Sequence, residues 1–170
     1  MDLQPTLIGE TVILRPTVPE DWEGMYAAAS DPLVWELHPA SDRWQEPVFR
    51  QYFADALASG GGLTIVDKAS GAIIGASRYY GHKPDEDEIE IGWTFLKRDY
   101  WGGATNREVK RLMLDHIHRF VETAVFLVGE GNFRSQSAMA KIGGVRRADM
   151  LSREYTTGVH RQIVYEIRRP

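Results

Sequence analysis

The sequence predicts an α/β fold of the α+β type, built on a mixed, mostly antiparallel and twisted sheet of about seven strands with about four helices. Three observations predict it. The runs Leu63 to Lys68 and Ala72 to Tyr80 flank Ala69-Ser70-Gly71, which reads as a hairpin loop. The periodicities follow one another as β, α, α, β, β, β, α, β, α, β, β, so consecutive hairpin strands precede a strand–helix–strand crossover and the sheet must be mixed. A doubly wound nucleotide fold would alternate strand and helix from the start, with GxGxxG after its first strand. Here the glycine turn follows the fourth strand.

Each element has its own signal. Thr11 to Leu14 is a short strand that Arg15-Pro16 ends, and Thr17 with Glu20 resembles a capping box. The helix it opens carries Trp22, Met25, Tyr26 and Ala29 on one face and stops at Ser30-Asp31-Pro32. Leu33 to Trp44 is aromatic and irregular. Val48, Tyr52, Phe53, Ala56 and Leu57 then recur at helical intervals until Gly60-Gly61-Gly62. After the hairpin strands and the acidic loop Gly81 to Asp87, a strand places Ile89, Ile91, Trp93 and Phe95 on one face and Glu88, Glu90, Gly92 and Thr94 on the other. Beyond the glycine turn a helix turns Val109, Leu112, Met113, Ile117 and Phe120 inward, and Arg107, Lys110, Arg111, Asp115 and Arg119 outward. Ala124 to Val128 suits a buried strand. Asn132 caps a helix through Ile142 that Gly143-Gly144 closes, and strands near Val145 to Leu151 and His160 to Ile167 finish the chain.

The 170 residues, 43% hydrophobic and 26% charged, point to a single globular domain over 1–170 rather than a disordered chain. A net charge of −4 gives no basic field for nucleic acid. There is no cysteine, which excludes disulfides, thiolate metal sites and a cysteine nucleophile. No apolar run reaches membrane-spanning length and MDLQPTLIGE is not a signal peptide, so the expectation is a cytoplasmic protein.

The stretch Glu88 to Thr105 carries the chemistry. Strand, Lys97-Arg98, Tyr100-Trp101, Gly102-Gly103 and an amphipathic helix follow in order. A helix start offers unpartnered N–H groups, and glycines let an anion approach them, so a phosphate or pyrophosphate is the natural tenant. The alternative is a plain strand–helix turn with a solvated basic edge.

EIEIGW, then Tyr100-Trp101-Gly102-Gly103-Ala104-Thr105, then Asn132-Phe133-Arg134-Ser135 with Ile142-Gly143, resembles the GNAT acetyltransferase superfamily. The opening TVILRP with Glu20-Asp21 is similar to the branch of ribosomal-protein N-terminal alanine acetyltransferases. The resemblance covers nearly the whole chain. It implies that the fourth and fifth strands splay apart, that the pantetheine arm of acetyl-CoA lies in the gap along Trp93, Thr94, Phe95 and Leu96, and that Gly92 marks a bulge. Gly102 and Ala104 match the last fixed positions of the family's pyrophosphate loop, with Gly103 between them and Asp99 as a departure at the first. The amides of Trp101 to Thr105 would bind diphosphate, helped by Lys97, Arg98 or Arg107. Asn132 matches a cofactor-contacting position, and Arg134 is placed to reach the adenosine phosphates or to remain a surface arginine.

Acetyl transfer to an amine needs a base, an oxyanion donor and protonation of the departing thiolate. The strand amide near Phe95 is the candidate donor. Glu90 is the candidate base, directly or through water, with Glu88 in reserve; two like charges on one face should raise one pKa, unless both are solvated strand carboxylates. Met139 occupies the place where many family members carry an acidic tyrosine, and methionine has no proton to give. Ser135 matches a serine assigned the acid role in the related branch, with a local helix-start hydrogen bond as the alternative.

Five histidines raise the question of a metal, but His116 and His118 lie two apart on one helix and point in different directions. No zinc or other metal site is expected. For the acceptor, Trp35, His38, Trp44, Tyr79, Tyr80 and the loop Tyr155 to His160 are candidate lining, and Asp85, Glu86 and Asp87 a candidate attraction for a cation. The expectation is an acetyl-CoA-dependent N-acetyltransferase acting on a primary amine, whether a protein N-terminus, an amino acid or a small amine. A non-catalytic CoA-binding regulatory module is the alternative, and a homodimer is left open.

Overall fold

Val12 and Leu14 on β2 (Val12–Pro16), Leu63 and Ile65 on β3 (Gly62–Asp67), and Ile89 and Ile91 on β5 (Glu88–Leu96) stand two residues apart and so share a face, which Ile74 of β4 (Ile73–Lys83) joins. Covering these side chains creates the main core. The computed structural model describes residues 1–170, and its sheet has eight strands in the order β1-β2-β3-β4-β5-β6-β8-β7. The additional strands are β1 (Leu7–Ile8), β6 (Thr123–Gly129), β7 (Val145–Tyr155) and β8 (Gly158–Arg168). Every pairing is antiparallel except β5 with β6.

Two layers of helix cover the sheet. Val109, Met113 and Ile117 of α4 (Thr105–Ile117) and Met139 of α5 (Phe133–Lys141) complete the main core. A second core joins Met25, Ala28 and Ala29 of α1 (Trp22–Ala29), Trp35 of α2 (Pro32–Trp35) and Phe49, Tyr52 and Phe53 of α3 (Glu46–Ser59) to Ala76 and Phe95 of the sheet. The two-residue β1 and the four-residue α2 are the elements beyond the expected count; both are too short to show a period.

The centre of the sheet departs from regularity twice. Opposite β4, Ala76 pairs with Phe95 but Arg78 pairs with Gly92, so β5 holds an extra residue. The bulge puts Trp93 at φ 53°, while Gly92 keeps an ordinary conformation. An extra residue inverts the side-chain alternation beyond it. Ile89 and Ile91 therefore belong to the α4-side core and Phe95 to the α3-side core, which corrects the expected single face of Ile89, Ile91, Trp93 and Phe95. The second departure is the expected splay. β5 and β6 pair only at Glu88↔Thr123, Ile89↔Ala124 and Glu90↔Val125, whereas β6 stays paired with β8 out to Gly129↔Gln162. From Ile91 onward the β6-facing edge of β5 has no strand beside it.

Local caps also differ from expectation. The turn before α1 is a 3-10 segment, Pro19–Asp21, and the Val18 N–H donates to Asp21 Oδ2 at 3.0 Å. The Thr17 hydroxyl instead pairs with that of Thr64 at 3.0 Å, while the Arg15 guanidinium holds Asp21 in two hydrogen bonds of 2.7 and 2.8 Å. Gly60, at φ 69°, closes α3 as the triple glycine predicted. Lys110, expected outside, is buried at 6% exposure, and Phe120, expected inside, is exposed beyond the end of α4.

Candidate active site

The turn after β5 forms a cradle of backbone amides. Trp101 Nε1 donates to the Leu96 carbonyl at 2.9 Å and pins the loop, and Gly102 takes φ 75°, a conformation that favours glycine. No side chain caps α4 at Ala104, and none of the amides from Gly102 through Arg107 donates to a protein acceptor. Such a run of N–H groups at a helix start is an anion site. Nothing crowds Gly103, so a ligand can approach there. The start of α5 reaches the same place, because the Arg134 guanidinium lies 4.0 Å over the Trp101 ring. Arg98 is engaged elsewhere, in an ion pair with Asp31, and Lys97 pairs with Asp99 at 3.5 Å. The exposed cations free to meet an anion at the cradle are thus Arg134 and Arg107.

The open edge of β5 runs from the cradle into the sheet. Phe95 and Leu96 bury their side chains on opposite faces, leaving their backbones as the lining of the gap. Thr94 Oγ1 lies 2.7 Å from Ser77 Oγ and accepts from Lys110 Nζ at 2.6 Å. The Lys110 ammonium also sits 5.6 Å from the Phe126 ring of β6, so it bridges beneath the splay. Burial pushes it down to about 7. Lys110 lies three residues before Met113 and seven before Ile117, on the apolar stripe; that spacing was the available signal, and its charge masked it.

Asn132 heads α5, with the Ser135 N–H donating to its Oδ1 at 3.3 Å, so its capping role holds. The half-buried Ser135 hydroxyl makes no hydrogen bond within the protein. Met139 is packed into the main core.

On the α3 side, Glu90 is buried and receives two hydrogen bonds from the Arg153 guanidinium, at 3.1 and 3.0 Å. Glu88 is bound by Arg147 at 2.7 Å and Lys83 at 3.1 Å. Burial alone would raise the Glu88 carboxyl, but these hydrogen bonds prevail and hold it below the usual carboxylate range. The expectation that like charge would raise one of the two carboxyls is corrected at Glu88 for this reason: each carboxylate has its own cation.

From Glu90 a stack of alternating guanidinium and aromatic groups leads away from the bulge. Arg153 lies 5.0 Å and Arg78 4.5 Å from the Trp93 ring; Arg78 is 5.6 Å and Arg43 5.0 Å from the Tyr52 ring; Arg43 is also 5.2 Å from Trp35. The Tyr52 hydroxyl donates to the Trp93 carbonyl at 2.6 Å and so ties the stack to the bulge. Beside the stack, a cavity of about 500 Å³ opens between Leu37–Pro39, Gly129–Gly131 and Val159–Arg161. His38 lines it, accepting the Ala40 N–H at 2.9 Å on Nδ1. Burial, with the charges of Arg43 and His160, pushes His38 down to about 3, which keeps it neutral. Of the residues expected to line an acceptor, His38 lines the cavity, Trp35 and Tyr155 pack against its ring, and Tyr79 is sealed in the main core; Arg43, Arg78 and Arg153 were not among them. Asp85, Glu86 and Asp87 lie exposed at the β4–β5 turn, before the paired end of β5.

His116 and His118 diverge as expected. Their Nε2 atoms meet the Asp2 carbonyl at 2.7 Å and the Ile167 carbonyl at 3.2 Å respectively.

A parallel strand pair that parts beside a bulge, followed by a helix whose first amides are unpartnered, is the arrangement that the resemblance implies for a CoA-dependent acyltransferase. The chain belongs to the acetyltransferase (GNAT) domain family, which matches residues 11–145. Acetyl-CoA is the donor in that family. No curated protein matches the chain closely enough to be counted. Among solved structures it is similar to a GCN5-related N-acetyltransferase from Brucella melitensis (TM-score 0.85, 15% identity, covering 97% of this chain and 79% of that one). It is also similar to a ribosomal-protein-serine acetyltransferase homologue from Vibrio cholerae (TM-score 0.76, 11% identity, 99% and 100% covered). A third is the Microcin C7 self-immunity acetyltransferase MccE, solved with acetyl-CoA and AMP (TM-score 0.78, 12% identity, 99% of each chain). At these identities the likeness speaks for the fold.

Proposed function

We propose that the protein moves an acetyl group from acetyl-CoA directly to a primary amine in a ternary complex, the amine being a protein N-terminus, an amino acid or a small amine. One observation carries the proposal: the open β5 edge leads straight into the unpartnered amides of Gly102 to Arg107. In this reading Trp93, Thr94, Phe95 and Leu96 follow the pantetheine arm. Trp101, Gly102, Gly103, Ala104 and Thr105 hold the diphosphate, with Arg134 above Trp101, while Asn132 shapes the start of α5. Arg98 contributes by fixing α2 to the cradle through Asp31 rather than by touching phosphate. A strand amide near Phe95 is the oxyanion donor. Glu90, fixed by Arg153, draws the amine's proton through water, and the Ser135 hydroxyl returns a proton to the thiolate.

The test is thiol release from acetyl-CoA with a panel of amines. Because the chain has no cysteine, a thiol reagent reports only free CoA. Thermal unfolding with acetyl-CoA, CoA, ATP and NAD tests the donor half; a ligand at 100 times its Kd stabilises by about 2.7 kcal/mol. Stabilisation by ATP or NAD but not by CoA would sink the reading. Met139 at the tyrosine position, buried in the core, favours a second reading, a CoA-binding regulatory module. That module would show the CoA shift with no thiol release from any amine.

A further inference from the structure

Two guanidinium groups of the stack, Arg43 and Arg78, are buried without an ion pair in the chain. Arg153 is satisfied by Glu90. Arg43 is only 8% exposed, yet its guanidinium makes no hydrogen bond or ion pair with the protein. Arg78, at 3% exposure, donates one long bond of 3.3 Å to the Tyr52 carbonyl, and its Nε is sealed without a partner. The nearby carboxylates act on these groups only from a distance and form no ion pair with them. Asp42 accepts from Thr156 at 2.7 Å on Oδ2 while its Oδ1 is buried without a partner, and Asp55 Oδ1 accepts from Gln51 at 2.8 Å. The positive charges also repel each other across Tyr52, and burial pushes both groups below the usual arginine range. Stacking on Trp35, Tyr52 and Trp93 offsets part of the cost of desolvating them, but buried charges are normally matched by an opposite charge.

Position indicates what supplies that charge. The stack begins at Trp93, the bulged residue beside the open β5 edge, and ends at Arg43, whose charge reaches His38 in the cavity wall. The amide cradle for the donor's phosphates is at the start of α4, in the other helix layer, so the stack is free for the acceptor.

We infer that the acceptor carries, besides its amine, an anionic oxyacid group, carboxylate or phosphate, which binds Arg43 and Arg78 while the amine sits at the Trp93 bulge. The inference rests on the acetyl-transfer reading above and narrows its substrate class. It also replaces the acidic 85–87 loop as the electrostatic determinant: the acceptor site selects an anion.

Matched acceptors test it. Thiol release is measured with β-alanine against β-alaninamide, and with 2-aminoethyl phosphate against 2-aminoethanol. A charge-assisted pair of this kind predicts kcat/KM roughly 10–100-fold higher for the anionic member of at least one couple, and the couple that shows it separates carboxylate from phosphate. In Arg43→Gln that ratio should fall toward one. This variant removes an unpaired buried charge, so it is expected to fold; Arg78→Met is the second variant. Equal rates within both couples, or a ratio unchanged in both variants, overturn the inference. The midpoint of thermal unfolding gives a readout independent of turnover: the anionic member should raise it more than its neutral partner in the wild type, and not in Arg43→Gln. No thiol release from any amine, without a midpoint shift from acetyl-CoA, would sink the acetyl-transfer reading itself. The anion-dependent shift would then still decide the inference, its absence from the wild type overturning it.

Discussion

On the proposed reading, the two sides of the bulge meet anions by different means. On the α4 side the cradle is made of main-chain N–H groups, and the side-chain cations near it are exposed or, like Arg98, engaged elsewhere. On the α3 side no helix start or glycine turn is involved, and recognition rests on guanidinium groups stacked on Trp93, Tyr52 and Trp35. A site of backbone amides depends on conformation and tolerates side-chain change. A site of buried side chains depends on identity and suffers from single substitutions. This is the expected arrangement when one substrate is common to a family and the other is particular to a member.

Substitutions can break the contrast, beginning with the largest effect. Arg153→Ala leaves the Glu90 carboxylate buried without its cation. Arg153 itself is partly solvated, so we expect a loss of about 2–4 kcal/mol, read from urea unfolding. Lys110→Met should move stability the other way, by on the order of 2–3 kcal/mol at pH 7, because it removes a buried cation. Its sign follows from linkage. Burial lowers the folded-state value of Lys110 from 10.5 to about 7, so between those pH values the unfolded chain binds more protons and stability rises with pH. The Lys110→Met variant should lose that rise, and unfolding midpoints across pH 7–10 check it.

Gly102→Val should disturb the cradle through its φ of 75°, with a conformational cost of about 1–2 kcal/mol and roughly a tenfold rise in the KM for acetyl-CoA. Arg98→Ala gives the smallest effect. If the cradle works through its backbone, that KM should change less than about threefold, the loss of an exposed ion pair. A larger change would put Arg98 on the phosphates and blur the contrast.

The same contrast explains what was legible beforehand. The order of elements along the chain and the glycine turn at the head of α4 follow from periodicity and glycines, which are written locally, while the splay is implied by the family resemblance alone. The bulge expected at Gly92 is there, but its consequence is not legible: the extra residue between Gly92 and Phe95 moves Phe95 to the other face without changing a letter of the pattern. Lys110 is hidden because its charge reads as solvent-facing although it holds an apolar-stripe position, and Arg78 lies inside a strand where no local signal marks a buried charge. Arg43 lies in the irregular segment before α3, where no period locates a side chain. Pairing of Glu88 with Arg147 and of Glu90 with Arg153 joins residues 59 and 63 apart in sequence, beyond any local signal.

The gap beside β5 has one more consequence. A strand edge with free N–H and C=O groups is a template for any extended chain, and sheets normally keep such edges paired or covered. Here the edge lies in the middle of the sheet, so on the proposed reading the peptide-like arm of the donor acts as the missing strand segment. The donor then does structural work as well as chemical work. Protein stripped of acetyl-CoA and CoA should self-associate more readily on storage, and adding either should keep it monodisperse.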